Sequence, residues 1–173
     1  MDRAMSNPVL DAIYSRRSIR QFTDEPVDRE AILEIIRAGT WAPSGLNNQP
    51  WRFAIVTDRS LKSKFEGLTR YAKVIASAKV LIAVFVDKAA MYSDVKDYQA
   101  IGACLQNMLL AAHSLGLGAV WLGEILKNAN KARALLELPG NLELMAVVAV
   151  GYPLRRNQSS ERMGIDQVIV FDR

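Results

Sequence analysis

Seven consecutive apolar residues, Val80 to Val86 (VLIAVFV), constrain the fold more than any other stretch of this chain. Their β-branched and aromatic side chains, with no polar alternation, predict a strand buried on both faces. Four further runs read as strands: residues 53–57 (FAIVT), 118–123 (GAVWLG), 144–153 (LMAVVAVGYP) and 166–171 (DQVIVF). Helical patterns lie among them. Asn7 followed by Pro8 is an N-cap with proline at the first helical position, opening a helix to about Arg16. Asp28 can cap the next helix, where Ile32, Leu33, Ile35 and Ile36 form one apolar face. Residues 98–116 form a long helix, apolar on most sides and ended by Gly116, that belongs at the centre of a fold or across a subunit interface. Helices and strands mix without a strict strand–helix repeat, which favours α+β over a doubly wound sheet.

With 173 residues, the chain is expected to fold as a single domain over 1–173 with a real core. No apolar run reaches the roughly 18 residues a membrane span requires, and the opening MDRAMSNPVL lacks an apolar targeting core. The expectation is a cytoplasmic protein. The single cysteine, Cys104, excludes an internal disulfide and reads as core packing rather than a nucleophile. The single histidine, His113, excludes a histidine-rich metal site and reads as structural or surface. The net charge of +4 is unevenly placed, with Arg16, Arg17 and Arg20 near the start and Arg155, Arg156 and Arg162 near the end. A nucleic-acid surface would repeat basic residues along a face and interleave exposed aromatics, which this chain does not do.

The chain also lacks the dinucleotide and P-loop glycine patterns, the G-x-S-x-G elbow and any Cys–His cluster. Four unusual stretches remain: SRRSIRQF (15–22), APSGLNNQPWRF (42–53), LGLGAVWLGE (115–124) and the arginine tail. Three guanidinium groups within five positions suit either a solvated face or one small dianion. Residues 42–53 read plainly as a helix-to-strand turn. With Pro43, Gly45 and Pro50 beside Ser44, Asn47, Asn48 and Gln49, they also suit a rigid polar wall against a flat heteroaromatic ligand.

From Ser15 to the C-terminus these stretches resemble the nitroreductase-like FMN flavoproteins, in a short form. R-R-S-I-R-x-F, A-P-S-x-x-N-x-Q-P-W-x-F, Q-N-x-L-L-A-A-x-x-L-G-L-G and W-L-G occur in the family's order. The resemblance implies a central, mostly antiparallel sheet flanked by helices, in an intertwined homodimer with two FMN sites at the interface. It implies that Arg16 and Ser18 hold the FMN phosphate, that Arg17 lies along the ribityl chain, and that Arg162 closes the site. Arg20 would reach the N1/O2 edge of the flavin, and Gly123, flanked by Leu122, would present its N–H to N5. Pro43, Ser44 and Asn47 would wall the ring from the partner subunit. The implied activity is an NADH- or NADPH-dependent oxidoreductase passing hydride through flavin N5 to a small electron-poor acceptor, such as a nitroaromatic or quinone. No side chain is assigned as a catalytic acid or base. An FMN carrier or sensor without turnover, and same-fold specialists in flavin fragmentation, reductive dehalogenation or azoline oxidation, are the alternatives. Two positions depart from the pattern: Ala100 replaces a common acid and Ser160 a common lysine. Arg70 and Lys73 fall near flavin-edge positions.

Overall fold

A computed structural model describes residues 7–173; the first six residues of the expected domain lie outside the described residues. The chain runs α1 (Pro8–Ser15), α2 (Arg29–Thr40), β1 (Trp51–Val56), α3 (Arg59–Glu66), α4 (Ala72–Ser77), β2 (Val80–Asp87), α5 (Asp94–Ser114), β3 (Gly118–Leu122), α6 (Ala129–Leu135), β4 (Leu142–Gly151) and α7 (Ile165–Val168). The four strands form one sheet in the order β1-β2-β4-β3. Every pairing is antiparallel. The fold is therefore α+β, with the sheet between two helical layers.

The apolar run at 80–86 explains this layering. Val80, Ile82, Val84 and Val86 pack with α2 and α5 on one face. Leu81, Ala83 and Phe85 pack with residues of α3, α4 and α6 on the other. β4 follows the same alternation until a bulge, where Val84 faces Ala146 but Phe85 faces Leu144, leaving Met145 unpaired in the register. α5 presents Ile101, Cys104, Leu105, Met108 and Ala112 to the core at helical spacing. It crosses α2 closely at Gly39, where a Cβ would stand 2.7 Å from Met108 Cγ and 3.0 Å from Cys104 Sγ. Cys104 is fully buried, and burial pushes its thiol up to about 12. Past Ser114 the helix ends on Gly116, at φ +76°, with Leu117 N–H donating to Ala112 O at 2.8 Å.

Asn7 caps α1 through Oδ1, accepting from Val9 and Leu10 N–H at 3.0 and 3.2 Å. Asp28 sits at the N-cap of α2, but its side chain makes no capping hydrogen bond. The strand expected over 166–171 is not formed. Instead Gln167 Oε1 accepts from Gly164 N–H at 3.1 Å and closes the single turn α7. β-Branched residues make a strand only where a sheet edge accepts their backbone. Within one chain this tail pairs with no strand, and Val170 and Phe171 remain 97% and 71% exposed. Among the described residues no helix is long and apolar enough to cross a membrane.

The arginine segment lies as a strap across one end of the sheet. Ile19 N–H donates to Ala119 O at 3.0 Å, Thr23 N–H to Tyr152 O at 2.9 Å, and Leu154 N–H to Gln21 O at 3.0 Å. Gly118 and Gly151 face each other in the β3–β4 register and make room for it. A Cβ at 118 would stand 2.8 Å from Ile19, and one at 151 would stand 3.0 Å from Phe22. Gly118→Ala should therefore push Ile19 outward and cost about 1–3 kcal/mol. The measurement is the urea midpoint, with Gly140→Ala as control, because a Cβ at 140 meets nothing within 4 Å. Equal midpoints for the two variants would mean that the strap is not held by packing on the glycines.

Candidate functional site

α1 ends where Ser15 Oγ turns back to donate to Asp11 O at 2.6 Å. The next residues enter the strap, in which Ile19 is buried at 4% exposure and its polar neighbours face outward. Arg16, Arg17, Ser18 and Arg20 thereby line one cleft of about 340 Å³. The tail beyond β4 crosses back to supply Gln158, Ser160 and Arg162 to the same cleft. Two stretches about 140 residues apart in sequence thus meet here, and among the described residues no acidic side chain lines the cleft.

The electrostatics of the cleft are uncompensated. Burial, then the charges of Arg162 and Arg17, lower the Arg16 pKa from its ordinary value. The Nε atoms of Arg16 and Arg17 are buried without a hydrogen-bond partner. Arg17 spends its Nη1 on the carbonyls of Tyr14 and Arg16, at 2.6 and 2.9 Å. Buried donors are ordinarily satisfied, and guanidinium forks match phosphate oxygens two at a time. Crowded guanidiniums, a hydroxyl from Ser18 and orphaned N–H groups fit a phosphate-bearing cofactor.

The loop after α2 forms a second wall. Pro43, Ser44 and Gly45 border a hollow of about 390 Å³ whose other side is Tyr92 with Lys96, Gln99 and Ala100 of α5. Leu46, Asn47 and Gln49 all adopt positive φ, between +48° and +54°. Such backbone costs of order 1–3 kcal/mol per residue and persists only where surroundings enforce it. The enforcing group is Asp97, fully buried in the first turn of α5. Its carboxylate accepts from Asn48 Nδ2 at 2.6 Å and from the main-chain N–H groups of Tyr92 and Ser93, both at 2.9 Å. Burial alone would raise the Asp97 pKa; the bonds from Asn48, Ser93 and Tyr92, with the charge of Lys96, outweigh it and hold it below its ordinary value. Gly45 is needed for the fit, since a Cβ there would overlap the Tyr92 hydroxyl. Sequence reading misses Asp97 and finds only the missing acid at Ala100; the acid that holds this loop lies one helical turn earlier.

Leu122 is buried in the core, and Gly123 follows it, exposed, at the end of β3. The neighbouring Glu124 is structural: it pairs with Lys127 and accepts from Thr69 Oγ1 at 2.6 Å and Arg70 N–H at 3.1 Å. The bond from Lys127, then that from Thr69, pull its pKa down to about 2. Arg70 donates to the Tyr71 hydroxyl at 3.0 Å and stacks on that ring, 5.0 Å from its centroid. His113 bonds Ser15 Oγ at 2.8 Å, an α5–α1 link that sequence spacing does not reveal. Among the described residues no group of three or more His, Cys, Asp or Glu is placed to hold a metal.

Comparison with known proteins finds relatives of this chain. The model of the nitroreductase family matches residues 13–78 and 66–152. A protein of Archaeoglobus fulgidus, described as an NADH dehydrogenase or NAD(P)H nitroreductase, is 38% identical over 148 residues, covering 83% of this chain and 84% of the relative. The FMN reductase [NAD(P)H] of Bacillus subtilis is 31% identical over 176 residues, covering 91% of this chain and 70% of the relative. A crystal structure from Desulfovibrio desulfuricans, described as a nitroreductase in complex with FMN, superposes with a TM-score of 0.93. It is 48% identical, over 98% of this chain and 99% of that one.

Asp97→Ala removes three hydrogen bonds, stranding the Tyr92 and Ser93 N–H groups while Asn48 Nδ2 keeps Ala90 O, and should cost roughly 3 kcal/mol, about 1 for each. A carboxyl lowered on folding stabilises above its unfolded pKa, about 3.9, and loses that contribution as pH falls through the folded value. Melting temperature should therefore drop more steeply below pH 4 in the parent protein than in Asp97→Asn. Parallel pH profiles would remove Asp97 as the group that holds the loop.

Proposed function

The chain belongs to the nitroreductase family, and on that premise we propose that it is an FMN-dependent oxidoreductase using NADH or NADPH to reduce a small electron-poor acceptor, a nitroaromatic or a quinone. The observation that carries this reading is the convergence of Arg16, Arg17, Ser18, Arg20 and Arg162 on one cleft that no acidic side chain lines among the described residues. FMN, when bound, supplies the two-electron chemistry, taking hydride at N5 from the nicotinamide and yielding it to the acceptor.

The protein's own groups bind, orient and shield. Arg16, Ser18 and Arg162 hold the phosphate dianion, and Arg17 lies between the phosphate and the ribityl chain. Arg20 brings a permanent positive charge to the N1/O2 edge, where negative charge accumulates on reduction. The exposed Gly123 offers its main-chain N–H to N5 with no side chain in the way, and the buried Leu122 fixes the strand end that carries it. Ser160 contributes a hydroxyl where a lysine is common in the family, so Arg16 and Arg162 bear more of the phosphate charge.

A homodimer completes the site. α1 exposes Val9 at 64% and Tyr14 at 70%, and the tail exposes Ile165 at 67% with Val170 and Phe171 beyond. A second copy covers this apolar surface and brings its Pro43, Ser44 and Asn47 to the ring. The wall of Pro43 and Ser44 faces a hollow of its own, lined by other residues than the arginine cleft, as expected when each loop serves the opposite site. The protein acts in the cytoplasm, with no nucleic-acid or membrane partner.

Purified protein should be yellow, release FMN on denaturation, bleach anaerobically with NADH or NADPH and regain colour with a quinone. Flavin that never bleaches would make it a carrier; a colourless protein that cannot be reconstituted would end the reading. Arg16→Ala or Arg162→Ala should weaken FMN by about ten- to a hundredfold each, as loss of a charged hydrogen bond of roughly 1.5–3 kcal/mol implies. The double variant and a bulky Asn47 variant should each be nearly empty as homodimers. Their co-expressed mixture should recover flavin, because a hybrid dimer collects both lesions in one site. Mixed dimers as empty as the parents would place both residue groups in one subunit's site.

A further inference from the structure

Arg16 and Arg17 have a second face. They also line an adjoining hollow of about 360 Å³, which shares Gln158 with the cleft described above and adds Arg156, His113 and Ser15. Leu109 and Leu117 supply part of an apolar wall. Arg156 is pointed and held by a hydrogen bond from Nη2 to Gly116 O, at the end of α5. The two hollows together gather the guanidiniums of Arg16, Arg17, Arg20, Arg156 and Arg162, and among the described residues no acidic side chain lines either one. A single phosphate compensates about 1.5 to 2 of those charges. Each guanidinium offers five N–H donors in a planar fork, enough to serve an anion on either side.

We propose that this hollow is a second anion site that takes a phosphate dianion, free or carried on a small organic group. Arg156 and the outer edges of Arg16 and Arg17 donate to it, and the leucine wall receives any apolar moiety. The site is separate from the one assigned to FMN and does not depend on turnover.

His113 is a built-in reporter of its occupancy. The Ser15 hydroxyl spends its proton on Asp11 O at 2.6 Å. The 2.8 Å bond between Ser15 Oγ and His113 Nε2 therefore has Nε2–H as donor, and Nδ1 is the atom that titrates. Burial first, then Arg156, Arg16 and Arg17, lower the His113 pKa below its ordinary value. An anion seated among the same three arginines opposes their charge and moves that pKa back up.

The chain has one histidine, so its imidazole gives one resonance to follow by NMR. The protein, as purified with its flavin, is titrated at several pH values with inorganic phosphate, with 5′-AMP and with sodium chloride at matched ionic strength. Both phosphates should raise the His113 midpoint saturably by about one pH unit, an opposite charge at this range being worth that or more, whereas chloride should not. Saturation at lower concentration by 5′-AMP assigns the hollow to a phosphomonoester; equal saturation assigns it to free phosphate. Arg156→Gln should weaken phosphate at least tenfold with flavin content unchanged, and Arg156→Lys should restore part of the affinity. A response to phosphate no greater than to chloride would overturn the site, as would an Arg156→Gln protein that responds normally. Loss of flavin in Arg156→Gln would also overturn it, by making the hollow part of the FMN cleft.

Discussion

The main-chain bonds that tie residues 19–23 to the ends of β3 and β4 are the constraint on which the cationic cleft depends. Guanidiniums repel one another, and left to themselves Arg16, Arg17 and Arg20 would spread into solvent. Pairing with Ala119 and Tyr152 fixes the strap's backbone, and the buried Ile19 and Phe22 anchor its inner side in the core. The arginines are then forced outward in company. Burial first, then the repulsion that remains, lowers the Arg16 pKa, and that repulsion makes the cleft receptive to a dianion. Core packing and ligand charge are thus parts of one balance. The sheet supplies the energy that holds like charges together, and a bound phosphate would relieve it.

The polar wall is organised by the opposite logic. There a single buried carboxylate, Asp97, gathers donors from the loop and from the approach to α5. Leu46 and Gln49 sit in left-handed backbone that neither favours, beside Asn47 in the same region, which asparagine tolerates. A chain lacking that hub would relax the turn into an ordinary conformation, and Ser44 would lose the position from which it faces Tyr92 and α5. Strain in the wall and burial of the acid belong to the same device. A rigid wall has already lost the entropy that a soft one would lose on binding a planar ring.

These two regions differ in how much of them is legible in the amino-acid order. Residues 16–22 carry their chemistry locally, so the cluster is visible before any fold is known. The apolar run at 80–86 announces two covered faces, and both helical layers are found. Asp97 and Asn48 lie 49 positions apart, and no local pattern marks a carboxylate whose partners are two main-chain amides and a distant side chain. Likewise Ser15 and His113 meet only because α1 lies on α5. The misread strand at 166–171 shows the converse limit. Val168, Ile169, Val170 and Phe171 have strand composition, but composition describes a side chain's preference for a pleated surface, and a single chain offers this tail none.

The burial of Cys104 has a bearing on how such a protein withstands its own chemistry. The only sulfhydryl in the chain is packed beneath the crossing of α2 and α5, against the bare backbone of Gly39, with its ionisation pushed to about 12. The thiolate is the species that attacks peroxide and exchanges with disulfides, and at neutral pH almost none exists here. Sulfenylation, glutathionylation and intermolecular crosslinking are thereby closed off while the native packing lasts. The thiol of this chain therefore keeps no record of redox chemistry around it, and cellular thiol poise has no handle on it.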